Sequence, residues 1–282
     1  MLTNNNSNTQ APCMVNGSTE LVAIVGSPIA QVKSPENFNR WFEGNALNRV
    51  MLPIDISAEA LVTFLNTLRG WQNLRGCVVT IPYKQQVVEH LDALSERASA
   101  LRSVNVIRRE ADGRLIGDNV DGEGFLNAGR QQGFDAKGKR ALVIGAGGVG
   151  SAIAYSLCQA GASALALSDV SHERVEALAQ LLRSAFPELP VSTRIDSLST
   201  FDLIANASPV GMGDSGELPL PEALLQTLPA SAHVADVVTA PEITPLLALA
   251  KARGCSIQTG PQMALAQAGN LGHFMGATAL VL

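Results

Sequence analysis

Beyond residue 20 the chain alternates apolar runs with amphipathic stretches almost to its end. LVAIVG (21–26) has the character of a buried strand, and a helical pattern follows over about 35–44. RVMLPID (49–55) predicts a second strand with a helix near 58–68, and GCVVTIP (76–82) a third with a helix near 84–93. VNVIRR (104–109) runs through the turn Ala111-Asp112-Gly113 into a short strand, RLIGDN. A new helix is expected near Gly124, and RALVIG (140–145) reads as a central parallel strand. The same rhythm continues with ALALSD (164–169), a helix over 171–185, VSTR (191–194), DLIANAS (202–208) and HVADVV (233–238). A helix over 243–252 and a long terminal helix close the chain. Strands alternating with helices predict an α/β fold with largely parallel sheets, in two domains that meet near residue 124 across a cleft.

Charge narrows the partners. Twenty Lys+Arg against 25 Asp+Glu give a net charge of -5, which leaves no basic footprint for nucleic acid and no attraction to an anionic membrane. Only 16% of residues are charged, and so thin a surface charge fits a monomer with a large internal interface or a homodimer. The cysteines (Cys13, Cys77, Cys158, Cys255) and histidines (His90, His172, His233, His273) are dispersed, so no metal site is expected. The first twenty residues are polar and lack the basic and apolar regions of a signal peptide, which predicts a polar tail on a cytoplasmic protein. Met263–Leu282 is apolar but interrupted by Gln267, Asn270, His273 and three glycines, so it is expected to fold back rather than cross a bilayer.

The first chemical signal is Gly145-Ala146-Gly147-Gly148-Val149-Gly150, a GxGxxG directly after one apolar strand and before a helical pattern. In that context the glycines allow a tight turn, close approach of backbone to a pyrophosphate, and close helix–strand packing. The helix N-terminus that follows is suited to phosphate. Asp169 ends the next strand, where a carboxylate accepts hydrogen bonds from the adenosine ribose. A 2′-phosphate there would meet like charge, and the first arginine, Arg174, lies in the next helix. NAD is therefore expected over NADP.

A nicotinamide enzyme also needs a proton donor beside the carbon that takes the hydride. Tyr83 and Tyr155 are the only tyrosines and neither has a lysine four residues on, which removes the Tyr-x-x-x-Lys solution. Two segments at strand ends remain: Thr80-Ile81-Pro82-Tyr83-Lys84 and Gly117 to Phe125, reading GDNVDGEGF. Together with GSPIAQVKSP (26–35), SVNVI (103–107), NASPVGM (206–212), DVVTAPEITPLL (236–247) and GPQMALAQ (260–267), they resemble the shikimate dehydrogenase family over about residues 21–280.

That resemblance implies a tail over 1–20, a substrate domain over 21–124, a Rossmann NAD-binding domain over 125–260, and a terminal helix over 261–282 packing back on the substrate domain. It implies hydride exchange between 3-dehydroshikimate and shikimate, as in aromatic amino acid biosynthesis, on a small-molecule carboxylate substrate. Its Lys–Asp pair falls on Lys84 and Asp121. Ser34, Thr80, Asn105 and Gln267 match substrate contacts, Asn119 matches a loop-fixing residue, and Ser208, Val237 and Gly260 fall on the cofactor side. Val32, Val78 and Thr239 depart from the family pattern, standing where a serine, an asparagine and a tyrosine are usual. Ser168-Asp169-Val170 replaces the Asn-Arg-Thr that selects NADP. The departures imply an NAD-using relative acting on shikimate, quinate or an aminoshikimate. A catalytically idle NAD-binding module is the alternative of another class, and retention of both Lys84 and Asp121 speaks against it.

Overall fold

The computed structural model describes residues 15–213 and 215–279. Most of the expected 1–20 tail, Cys13 and the last three residues of the expected terminal helix lie outside the described residues. The first half comprises β1 (Glu20–Gly26), α1 (Ser34–Gly44), β2 (Arg49–Asp55), α2 (Leu61–Gly70) and β3 (Leu74–Val79), then β4 (Ala93–Leu94), α3 (Glu96–Leu101), β5 (Val106–Arg109) and β6 (Leu115–Asp118). These strands form a six-stranded sheet in the order β2-β1-β3-β5-β6-β4. The second half begins with α4 (Asp121–Gln131), β7 (Arg140–Ile144), α5 (Gly148–Gln159), β8 (Ala164–Ser168), α6 (His172–Ala185) and β9 (Val191–Ser192). It continues with β10 (Leu203–Asn206), α7 (Glu222–Leu225), β11 (His233–Asp236), α8 (Pro245–Ala252), β12 (Ser256–Gln258) and α9 (Gly260–Phe274). Its sheet, ordered β12-β11-β10-β7-β8-β9, is parallel throughout: the doubly wound arrangement of dinucleotide-binding folds.

The first sheet is largely parallel as expected, with β5 alone running antiparallel to its neighbours β3 and β6. The cause is local: Glu110 and Arg114 close the Ala111-Asp112-Gly113 turn by a backbone bond of 2.8 Å, making β5 and β6 a hairpin. The helix expected near 84–93 is a short 3-10 segment, Gln86–His90, followed by β4. Asp92 takes the Leu115 amide at 2.7 Å and pairs with Arg69, which pulls the chain into the sheet before a helix can propagate. The nearest true helix is α3, capped by Ser95 accepting from the Ala98 amide at 3.2 Å.

The cores follow strand periodicity. In β7, Ala141 and Val143 feed the apolar cluster beneath α4, α5 and α6, while Leu142 and Ile144 feed the one beneath α8. Cys77, Cys158 and Cys255 are buried and unbridged, and burial pushes the Cys77 and Cys158 thiols up to about 12, so both pack as small hydrophobes. The helix that decides the geometry of the cleft is α4, which packs on α5 on one side and on α9 on the other. A Cβ on Gly122 would stand 2.3 Å from the Ala152 carbonyl oxygen, and one on Gly124 would stand 2.6 Å from Gln267 Cβ. Both helices approach this closely only because side chains are missing there.

His233, at the start of β11, is buried against Phe134 with ring centroids 4.8 Å apart, and its Nδ1 lies 2.9 Å from Ser256 Oγ. Burial holds its imidazole below the ordinary value of 6.5, against a smaller opposing effect from Gln258. Below that pH the unfolded chain binds a proton that the folded chain refuses. The stability due to neutral His233 is therefore complete above the unfolded value and falls as pH drops through it. Urea denaturation from pH 7.5 to 5 should give a steeper acid loss of stability for the native chain than for His233→Gln.

Candidate active site

Asp121 opens α4 and is almost wholly buried, at 3% exposure. A carboxylate taken so far from water must be matched by donors, and it receives three from distant parts of the chain. Lys84 Nζ donates to Oδ2 at 2.7 Å from the turn after β3. Asn105 Nδ2 donates to Oδ1 at 2.8 Å, and Gln267 Nε2 donates to the same oxygen from α9. The loop before α4 is held to the same groups. Asn105 Oδ1 accepts from the Val120 amide at 2.9 Å, and Asn119 Oδ1 accepts from the Asp121 amide at 3.2 Å. The main chain of Lys84 is fixed as well, its carbonyl accepting from the Val104 amide at 2.8 Å.

Four of the six residues assigned to chemistry and substrate thus form one hydrogen-bonded cluster. Ser34 and Thr80 stay outside it. Ser34 begins α1 and Thr80 follows β3; both are half-buried, and neither hydroxyl has a hydrogen-bond partner among the described residues. Their freedom suits a site whose ligand supplies the missing partner.

Across the cleft, Gly145 adopts φ +104°, and a Cβ there would lie 2.8 Å from the Ala207 carbonyl carbon and oxygen. Gly150 lies so close to the Gly145 carbonyl that a Cβ would be 1.9 Å from its oxygen. Between them, a Cβ on Gly147 or Gly148 would meet nothing within 4 Å, so the loop is packed below and open above. The cap of α5 has no side-chain acceptor, leaving its amides for an anion. A cavity of about 400 Å³ lies over this loop, bounded by Gly145, Gly147, Asp169, Arg174, Ser208 and Pro221. A second, of about 420 Å³, opens on Gly147, Gly148 and Arg174 and reaches Gln85, next to Lys84. Ala146 and Val149 belong to the same loop and helix start, whereas Val237 follows β11, Gly260 opens α9, and neither lines either cavity. The loop, its open face and the cavities fit a nicotinamide dinucleotide.

Asp169 shows what the chain's own order conceals. Its Oδ2 accepts from the Ala146 amide at 2.7 Å, and its Oδ1 accepts from the Ser171 amide at 2.8 Å and from Arg174 at 2.9 Å. Burial would raise this carboxyl, but those three donors outweigh it and hold it below the usual carboxylate range. The cation that stands five residues away in sequence is thus in contact with Asp169, because α6 begins at His172 and turns Arg174 back toward the strand end.

A further buried carboxyl, Asp236, joins the loops after β10 and β11. It accepts from Asn206 Nδ2 at 3.1 Å, Thr244 Oγ1 at 2.7 Å and the Val238 amide at 3.0 Å. Asn206 Oδ1 in turn accepts from the Ser208 hydroxyl at 2.7 Å, so this network fixes the wall of the cofactor cavity. Sequence reasoning singled out Ser208 and missed the roles of Asn206, Asp236 and Thr244, although all three lie in the family-matching segments 206–212 and 236–247; Asn206 and Asp236 end strands and Thr244 caps α8. Among the described residues there is no cluster of metal ligands, and no helix is long and apolar enough to cross a membrane.

Residues 24–107 match the family model described as the shikimate dehydrogenase substrate binding domain. A protein from Rubrobacter xylanophilus named shikimate dehydrogenase (NADP(+)) is 36% identical over 257 residues, covering 90% of this chain and 89% of that one. The chain belongs to the shikimate dehydrogenase family. Shikimate dehydrogenase homology makes it a nicotinamide-dependent oxidoreductase. Among solved structures, shikimate 5-dehydrogenase from Listeria monocytogenes, in complex with shikimate and NAD, has a TM-score of 0.87 at 27% identity, covering 94% of each chain. Ligand-free 5-ketofructose reductase of Gluconobacter sp. strain CHM43 has a TM-score of 0.86 at 26% identity, covering 93% of this chain and 94% of that one.

Removing the Lys84 amine should test the cluster directly. Lys84→Ala is expected to lower kcat about 100-fold or more, the usual scale for a positioned acid or base. Affinity for the reduced cofactor, read by its fluorescence on titration, should change little. Near-normal kcat in that variant would remove Lys84 from proton transfer.

Proposed function

We propose that this chain exchanges hydride between a nicotinamide cofactor and the hydroxyl-bearing carbon of a shikimate-type ring, interconverting shikimate or a close relative with its ketone. The observation that carries this reading is the 2.7 Å contact of Lys84 with Asp121, whose second oxygen is already taken by Asn105 and Gln267. The carboxylate is immobilised, and the lysine is aimed rather than free to wander. Its ammonium hydrogen-bonds the substrate oxygen and protonates it during reduction; in reverse, the neutral amine removes the alcohol proton. Thr80 and Ser34 offer free hydroxyls to the rest of the substrate. The dinucleotide, held by the glycine loop and Asp169, supplies or accepts the hydride. An idle binding module would need neither the amine nor the carboxylate that holds it, with its two further donors.

NAD is the preferred cofactor in this reading, because the Asp169 carboxylate stands at the ribose and repels a 2′-phosphate. Arg174 makes the preference moderate rather than absolute, since it neutralises that carboxylate and can turn to a phosphate. The relatives named for NADP(+) lean the other way, so the preference rests on Asp169 alone. Steady-state assays of shikimate and quinate with each cofactor test both statements. The native chain should have the higher kcat/KM with NAD. Arg174→Ala should lower the NADP value about tenfold or more, the scale of a lost charge-assisted hydrogen bond, while NAD changes much less. A native chain that works equally well with NADP would overturn the preference. Failure of every ring substrate with both cofactors would overturn the reaction.

A further inference from the structure

The chain crosses from the first sheet into α4 through Asn119 and Val120, and three carboxylates stand along that crossing. Asp118 ends β6, and Asp121 and Glu123 lie in the first turn of α4. Among the described residues two cations pair with them. Lys84 is given to Asp121, so Arg97 of α3 serves the other two. Its Nε and one terminal nitrogen donate to Oδ1 and Oδ2 of Asp118 at 2.8 and 2.7 Å. The other terminal nitrogen stands 3.1 Å from Glu123 Oε1. All three guanidinium nitrogens are thereby engaged. The Asp118 side chain is 6% exposed and that of Arg97 19%, so this planar fork works largely out of water, where it is directional and strong.

What the fork grips is the main chain that leads to Asp121. Asp118 Oδ1 also accepts from the Asn119 amide at 2.7 Å, and Asn119 Oδ1 accepts from the Asp121 amide at 3.2 Å. Val120, at the cap of α4, offers no side-chain acceptor, so the first turn is not fixed by a cap of its own. Beyond Asp121, Glu123 ties the same turn to the same guanidinium. Lys84, Asn105 and Gln267 hold the oxygens of the Asp121 carboxylate; Arg97 holds the backbone from both sides of it. A small slip of this turn would lengthen the Lys84 contact and leave the cofactor cavities as they are, because Arg97 lines neither.

We propose that Arg97 is a positioning residue, which sets the Asp121 carboxylate against Lys84 by clamping residues 118 and 123 with one guanidinium. This rests on Lys84 and Asp121 as the proton-transferring pair of the reading above. A lysine at position 97 would keep the charge, yet a single ammonium cannot hold two carboxylates in a fixed plane. Charge balance alone would accept that lysine, whereas positioning does not.

Three variants separate these roles. Arg97→Lys keeps the charge. Arg97→Leu combined with Asp118→Asn removes both members of the pair and leaves neither buried alone. Glu123→Ala cuts the half-buried arm to α4 and leaves the Asp118 pair whole. Each is checked for folding by thermal denaturation and then assayed for shikimate oxidation with NAD. Without substrate, brief treatment with acetic anhydride compares modification of Lys84 with that of the exposed Lys251 by peptide mass spectrometry. In Arg97→Lys and in the paired variant kcat should fall about tenfold or more, the scale of a small misplacement of a catalytic group. KM for shikimate and cofactor affinity should stay within about twofold. Glu123→Ala should show a smaller loss of the same kind. Acylation of Lys84 relative to Lys251 should rise about threefold or more as the amine escapes its carboxylate. Folded variants with native kcat and a native acylation ratio overturn the proposal, even if they melt earlier, because Arg97 then serves the fold alone. A raised KM with unchanged kcat overturns it as well. If the Arg97 variants do not fold, Glu123→Ala decides by the same readouts. If the native chain oxidises neither shikimate nor quinate with either cofactor, the reading of the reaction fails, and the acylation ratio alone decides whether Arg97 holds Asp121 against Lys84.

Discussion

Burial of the Asp121 carboxylate is the constraint around which the rest of this molecule is arranged. An anion removed from water is tolerable only with several good donors, and none of its side-chain donors comes from its own helix. One arrives on the turn after β3, one at the entry to β5, and one on the last helix. Satisfying that single group therefore fixes the relative positions of the first sheet, α4 and α9. Gly122 and Gly124 of α4 are the steric counterpart: they let α5 and α9 pack closely, and so bring Gln267 of α9 within reach. The ammonium that neutralises the anion is the same group to which the proposed chemistry is assigned.

The Rossmann half was the most legible part of the chain. RALVIG, the glycine cluster and the acid ending the next strand are local signals, because a parallel buried strand and its phosphate turn are specified within about thirty residues. The first half was less legible where pairing partners lie far apart. The alternation that predicted strand 104–109 carries no information on its direction, and only the hairpin turn reverses it. Residues 84–93 have a helical composition, yet Asp92 is captured by the Leu115 amide and Arg69, contacts that no local pattern contains.

The same distinction runs through the site. Lys84, Asp121, Asn105 and Gln267 were found through motifs, and their convergence on one carboxylate emerges only in three dimensions. Asp169 was read correctly as an acid at a strand end, but its environment was misjudged, since the geometry of a helix start returns Arg174 to it. Asn206 and Asp236 open two family-matching segments, but their pairing is invisible there because they are 30 positions apart and meet only as neighbours on adjacent strands. Single residues with a local reason for their type are visible in a sequence; side chains that matter through a distant partner are not.

The placement of α9 bears on how the protein comes into being. Ala268, Leu271, Met275 and Ala277 complete the apolar cluster beneath α1, whose other members come from the first 120 residues. Synthesis proceeds from the N-terminus, and domains usually fold as they emerge. Here the first sheet leaves the ribosome with that face covered only in part, by α1, and stays so while the whole second half is made. The last helix both seals that face and delivers Gln267. A nascent or prematurely ended chain consequently exposes apolar surface and lacks the Gln267 donor to Asp121 at the same time.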